Sequence, residues 1–118
     1  MKVASDAIRN LKILANRDNF TEEGMYTGVH DPVLREKLNA KLNSTIQNFI
    51  EAVENRATRE QYIELIRNSM ANFDRIAVDT DDVEQVALNF EKIMDCIGLE
   101  SSDGVLNNWM YGFDPNSR

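Results

Sequence analysis

Cysteine occurs once, at Cys96, and histidine once, at His30. The lone thiol excludes an internal disulfide and fits a reducing compartment. The lone imidazole excludes a metal site or proton relay built on two histidines within one chain. Glycine is sparse too, and Gly24, Gly28, Gly98, Gly104 and Gly112 form no phosphate-cradling run. The P-loop lysine and the dinucleotide fingerprint are both absent. Long apolar runs are missing, so no window approaches a membrane span. The N-terminal Met1-Lys2-Val3-Ala4-Ser5-Asp6 leads straight into Arg9 and Asn10 without an apolar signal core. These absences predict a cytoplasmic protein with no membrane contact.

Basic residues are scarce in one half only. Residues 60–118 hold twelve acidic side chains against four basic ones, whereas residues 1–59 hold eight against nine, within an overall charge of -7. Asp79, Asp81, Asp82 and Glu84 fall within six positions, and Glu91, Asp95, Glu100 and Asp103 follow at helical or turn spacing. One end of the folded molecule therefore projects a negative field, which steers basic partners and repels nucleic acid.

What is present is ordinary for a globular protein: 118 residues, 42% hydrophobic and 28% charged. A chain of this size buries a core without metals or disulfides, so residues 1–118 read as one domain. Its periodicity is helical throughout. Ala7, Ile8, Leu11, Leu14 and Ala15 predict a first helix behind Ser5 or Asp6, ending near Asn16. Residues 17–31, with Asn19, Phe20, Gly24, Tyr26 and Gly28, predict a loop containing at most a short helical turn, and loops that long are often functional. Asp31-Pro32 reads as a cap with proline at the first helical position. Leu34, Leu38, Leu42, Ile46, Phe49, Ile50 and Val53 then mark the buried stripe of a long second helix.

Thr58-Arg59-Glu60-Gln61 matches a capping box, which starts a third helix at Arg59 with the stripe Tyr62, Ile63, Ile66, Met70, Phe73 and Ala77. The short interval 55–58 implies an antiparallel hairpin with the second helix. Asp81-Asp82-Val83-Glu84 offers a similar box before Val83, Val86, Ala87, Phe90, Ile93, Met94 and Ile97. Gly98 ends that fourth helix, with Leu99 folding back as in a Schellman cap. Val105, Leu106, Trp109 and Met110 behind a serine cap predict a short fifth helix, ended by Asp114-Pro115. The fold class is thus all-α: a single-domain bundle of four main helices plus a short C-terminal one.

Candidate chemistry is thin. His30 sits in the loop beside Asp31. Cys96 lies between Ile93 and Ile97, where burial raises a thiol pKa and leaves it structural. Glu51 and Glu54 are one turn apart, as in helical magnesium-dependent nucleotide hydrolases, but the acidic pair required on a facing helix is matched only loosely by Glu60/Glu64, Asp79/Asp82 or Glu91/Asp95. A helix dipole accounts for one or two carboxylates at a helix start, and the cluster Asp79, Asp81, Asp82, Glu84 exceeds that. The aromatic tail has two readings. Trp109, Tyr111 and Phe113 either close the open end of the bundle or supply an exposed partner anchor.

The early amphipathic helix, the Tyr26-x-Gly28 loop, the Leu-rich helix from Asp31-Pro32 and the ending Gly98-Leu99-Glu100-Ser101-Ser102 … Leu106-Asn107-x-Trp109-x-Tyr111-Gly112-Phe113 together resemble a small bacterial family known as a domain of unknown function. The resemblance spans nearly the whole chain and implies the fold and a bacterial origin; the family has no activity to carry over. In size, acidity and helical content the chain is also similar to bacterial immunity proteins, which neutralise a co-produced toxin, although no motif is shared. The expected function is a non-enzymatic, acidic interaction protein, with an immunity-type inhibitor of a basic protein partner as its concrete form. The candidate partner-binding residues are Asp79, Asp81, Asp82, Glu84, Trp109 and Tyr111, with no catalytic residue, cofactor or metal. A magnesium-dependent hydrolase using Glu51 and Glu54 and a homodimer through the aromatic tail are the alternatives, and the chain is expected to be a monomer or homodimer.

Overall fold

The computed structural model describes residues 1–73 and 79–111. Among these described residues there are five helices: α1 (Ala7–Ala15), α2 (Pro32–Glu54), α3 (Arg59–Met70), α4 (Thr80–Ile97) and α5 (Val105–Tyr111). The all-α class follows from the stripes, each of which turns inward. α1 packs on α2 and α4, α2 on α3, and α5 on both α3 and α4. Leu11, Leu42, Ile46, Phe49, Ile66, Phe90, Ile93 and Ile97 are essentially inaccessible to solvent, each worth ~1.5–3 kcal/mol of burial. Phe73 meets Phe90 edge-on at 5.9 Å and 85°, and Phe49 stacks on Tyr62 at 6.4 Å and 9°.

The helix ends follow local chemistry. The Asp31 carboxylate accepts from Val33 N at 3.0 Å and, more weakly, from Leu34 N at 3.5 Å, with Pro32 at the first helical position. The Thr58 capping box is complete in both directions, Gln61 N donating to the Thr58 hydroxyl and Thr58 N to the Gln61 side chain. Gly98 takes φ 78°, and Leu99 N bonds back to Met94 O at 2.9 Å while its side chain is buried. That is the Schellman arrangement the sequence predicts.

Three local expectations need correction. Neither Ser5 nor Asp6 caps α1 through its side chain; Asp6 is the N-cap residue but its carboxylate faces Arg9 at 3.7 Å. The third helix stops at Met70, and Phe73 stays buried from the turn beyond it because its N–H bonds Met70 O; Ala77, assigned to the same stripe, lies outside the described residues. α4 starts at Thr80 with Asp79 as N-cap, so Asp81 and Asp82 occupy its first turn instead of forming a capping box. The loop 17–31 is a loop as expected, and within it Glu23 and Tyr26 close a tight reversal through two backbone hydrogen bonds of 3.0 and 2.9 Å.

α5 closes the α3–α4 end. Val105 and Leu106 are buried and Trp109 packs, partly buried, against the core. Ser102 Oγ accepts from Leu106 N at 3.3 Å. The turn before α5 needs two left-handed residues, Asp103 at φ 57° and Gly104 at φ 90°. Arg59 holds it with two guanidinium hydrogen bonds to the Asp103 carboxylate, of 2.9 and 2.7 Å, which depress the Asp103 pKa. The proposed stop at Asp114-Pro115, with Gly112 and Phe113, falls outside the described residues.

Candidate interaction face on α4

The long loop is a strap held down by side chains. Phe20 and Val29 plug the core, while Val29 N bonds Phe20 O at 2.9 Å. Asn19 is almost fully buried and organises the entry: its backbone N–H donates to Asn39 Oδ1 at 2.9 Å, and its side-chain amide donates to Leu14 O at 2.8 Å at the end of α1. Asp18 accepts from Asn39 and from Phe20 N and faces Arg35. Against the cost of burial, those three groups hold its carboxyl below the usual aspartate range.

α4 supplies the other half of the fastening. Asp82, Gln85, Asn89 and Lys92 recur at three- and four-residue spacing and so share one side of the helix. The Tyr26 hydroxyl donates to Asp82 Oδ1 at 2.7 Å. Gln85 and Asn89 both donate to Asn19 O at 3.2 Å. Lys92 donates to both Glu23 oxygens, at 2.9 and 2.8 Å. The Lys92 hydrogen bond is the main reason the Glu23 pKa is lowered. Burial first, and then the Asp82 carboxylate, push the Tyr26 phenol upward.

The reversal Glu23–Tyr26 is therefore anchored at both ends. Gly24 provides its left-handed corner at φ 58°, and Met25 at its tip is fully exposed. Gly28, at φ 84°, lets the strap fold on itself: a Cβ there would sit 2.9 Å from Glu22 N.

One residue before each member of the inner column, about 100° around the helix, runs a second one. Asp81, Glu84, Leu88 and Glu91 are all exposed, and Asp95 continues the line. Four of these five are carboxylates and none is basic; Lys92, the nearest cation on α4, is engaged by Glu23. From Asp81 to Asp95 is fourteen residue steps, or ~21 Å of helix. A cleft of about 250 Å³ opens beside its first half, lined by Met25, Tyr26, Asp81, Glu84, Gln85 and Leu88. A second, of about 350 Å³, flanks its other half, where Glu91, Asp95 and Glu100 surround Met94, Leu99 and Leu106.

The sequence-predicted residues separate on this map. Asp79, Asp81 and Glu84 are exposed at the start of α4, whereas Asp82 is buried against Tyr26. Trp109 and Tyr111 lie apart on α5, Tyr111 being 62% exposed. Glu51 and Glu54 are exposed on α2. Glu51 lines a cleft with Asn48, Ala52, Asn55, Ala57, Gln61 and Leu65 and no other carboxylate, and Glu64 on α3 is paired with Arg67. Among the described residues no group of three or more His, Cys, Asp or Glu side chains could hold a metal ion. His30 is exposed in the loop. Cys96 is half-buried, and burial, with Asp95 and Asp6 nearby, raises its thiol pKa, which makes it a poor nucleophile. Among the described residues no helix is long and apolar enough to cross a membrane.

Sequence reading missed Met25, Leu88 and the inner column Gln85, Asn89 and Lys92. Their signal was present, as polar residues at helical spacing interleaved with an apolar stripe, but the same pattern describes any solvated helix face.

A solved structure of a DUF3571 family protein from Acinetobacter baumannii AYE is similar to this chain, with a TM-score of 0.86 and 40% identity over 92% of this chain and 90% of that one. No curated protein matches. The family model described as a domain of unknown function, DUF4844, matches residues 2–114, and the chain belongs to that family.

Proposed function

We propose that the protein is a non-enzymatic interaction module of the bacterial cytoplasm that binds a basic protein partner across the exposed face of α4, an immunity-type inhibitor being its concrete form. One observation carries this reading: Asp81, Glu84, Glu91 and Asp95 line the solvent side of α4 without a basic residue among them. Folding alone does not favour that column. Carboxylates are welcome at a helix N-terminus, but Glu91 and Asp95 approach the negative C-terminal end, and α4 has no basic residue in its last turn. Like charges at i,i+3 and i,i+4 add a repulsion of a few tenths of a kcal/mol per pair. A charge pattern that costs local stability is explained by a partner that neutralises it.

The same field disfavours nucleic acid, whose phosphates it repels. The magnesium-hydrolase alternative has less support, because among the described residues no group of three or more acidic or metal-ligating side chains forms around Glu51 and Glu54. The homodimer alternative has less as well, since Trp109 packs, partly buried, against the core.

The test compares the chain with a D81N/E84Q/E91Q/D95N variant as baits in bacterial extract, at low and at high salt. A protein held by the parent chain at low salt and lost by the variant is expected, and with that protein purified the variant should associate ~10–100-fold more slowly at low salt. Identical captured sets and unchanged association rates would overturn the reading.

A further inference from the structure

The outer column of α4 is not purely acidic: Leu88 interrupts it at its centre, and the fully exposed Met25 stands across the cleft from it. Single exposed apolar side chains are common and carry no meaning by themselves. Met25 differs in how it is held. Its reversal is closed by two backbone hydrogen bonds, tied through Tyr26 to Asp82 and through Glu23 to Lys92. A methionine presented on a fixed turn gives an adaptable apolar contact whose backbone ordering is already complete before binding.

Resting on the acidic-interaction reading, we propose that this face is a groove for one basic amphipathic helix lying along α4. An apolar side chain of that helix seats between Met25 and Leu88, and lysines or arginines on either side of it meet Asp81 and Glu84 at one end and Glu91 and Asp95 at the other. The length agrees: ~21 Å of acidic column matches about four turns of a docked helix. Charge selects the occupant. A second copy of this chain would bring the same carboxylates against themselves, with a net charge of -7 on each molecule, so the groove rejects self-association and accepts a cationic helix.

The test uses a synthetic helical peptide of roughly 18 residues, long enough to hold helix on binding, with a leucine stripe flanked by lysines. Two controls replace its lysines by glutamate or its leucines by serine. Peptide affinity is read by fluorescence anisotropy and the footprint by amide NMR shifts of the full chain. The proposal expects shifts concentrated at Met25, Tyr26, Asp81, Glu84 and Leu88, and at least about a tenfold weakening in the M25S/L88S variant, with the salt dependence retained. Both substitutions are at exposed positions, and an unchanged melting temperature verifies the fold. If D81N/E84Q/E91Q/D95N weakens binding while M25S/L88S does not, or if the leucine-to-serine peptide binds as well, the docking groove is overturned and the acidic-interaction reading stands. If neither variant affects binding, or the glutamate peptide binds equally, both are overturned.

Discussion

Two polar columns run along α4 one residue apart, and they do opposite things. Asp82, Gln85, Asn89 and Lys92 face the strap 17–31 and spend their hydrogen bonds inside the molecule. Asp81, Glu84, Glu91 and Asp95 face solvent. The inner column mixes one acid, two amides and one base, and each finds a partner on the strap in the Tyr26 hydroxyl, the Asn19 carbonyl or the Glu23 carboxylate. The outer one is of a single sign and balances against nothing on α4. One helix therefore keeps the groups that fasten the strap about 100° of rotation away from those that face solvent, and an aspartate's role at its start depends on which side of that line it falls.

The inner column can be broken most severely from the strap. Gly28→Ala forces an L residue into φ 84° and places a Cβ 2.9 Å from the backbone nitrogen of Glu22. The left-handed conformation costs ~1–2 kcal/mol, and a backbone contact that cannot swing aside adds to it. A total loss of ~3 kcal/mol in urea unfolding is expected, with hydrogen exchange accelerating across residues 17–31. Stability within ~0.5 kcal/mol of the parent would mean the strap adapts freely.

Tyr26→Phe tests the boundary itself. It leaves the buried Asp82 carboxylate, 7% exposed, without the phenol that donates to it at 2.7 Å. An uncompensated buried acceptor of this kind costs ~2 kcal/mol. Asp81→Asn, one residue away and exposed, should change stability by less than ~0.5 kcal/mol. Equal losses in the two variants would erase the distinction between the columns.

This boundary is also where the sequence stops being legible. The helices were readable because their apolar stripes repeat at 3.6 residues and because Asp31-Pro32, Thr58-x-x-Gln61 and Gly98-Leu99 satisfy backbone groups locally. Such signals lie within a few residues of what they determine. The strap was not readable, since its fastenings join residues far apart in sequence, Tyr26 with Asp82, Asn19 with Asn89 and Glu23 with Lys92, and no local pattern encodes a partner sixty residues away. Asp79, Asp81, Asp82 and Glu84 stood out as one cluster, yet only a structure shows Asp82 turning inward. Leu88 was hidden for the complementary reason: inside a helix rich in buried apolar residues, an exposed leucine looks like one more core position.

The Lys92–Glu23 pair predicts a modest acid response. Lys92 holds the Glu23 pKa below the ordinary value of 4.5. A carboxyl depressed on folding contributes stability that is present above its unfolded pKa and lost as pH falls through its folded one. The contribution should therefore begin to fade as pH falls below about 4.5, vanish once pH is below the depressed folded pKa, and be absent at every pH in Glu23→Gln. The Glu23 side chain is 38% exposed, so solvent screening limits the effect to ~0.5 kcal/mol. Parallel stability-against-pH curves for the parent and Glu23→Gln below pH 5 would show that the pair contributes nothing to the strap.

The smallest effect has the most telling sign. Asp95 lies in the last turn of α4, where the helix dipole is negative and no basic residue answers it, and Glu91 stands one turn before it. Removing this charge relieves an unfavourable dipole interaction and one like-charge pair, so Asp95→Asn should raise stability by ~0.3 kcal/mol. Half a degree or more in melting temperature is within reach of careful calorimetry at low salt, and the gain should shrink as ionic strength rises, because exposed charges are screened beyond a Debye length of ~8–10 Å. Asp81→Asn at the other end supplies the internal control: there the dipole favours the carboxylate, and neutralisation should lower stability slightly or leave it unchanged. Opposite signs at the two ends of one column mean that the acid at its C-terminal end is held against folding stability, as a partner-facing column requires. A loss of stability in Asp95→Asn would instead assign that carboxylate to the fold.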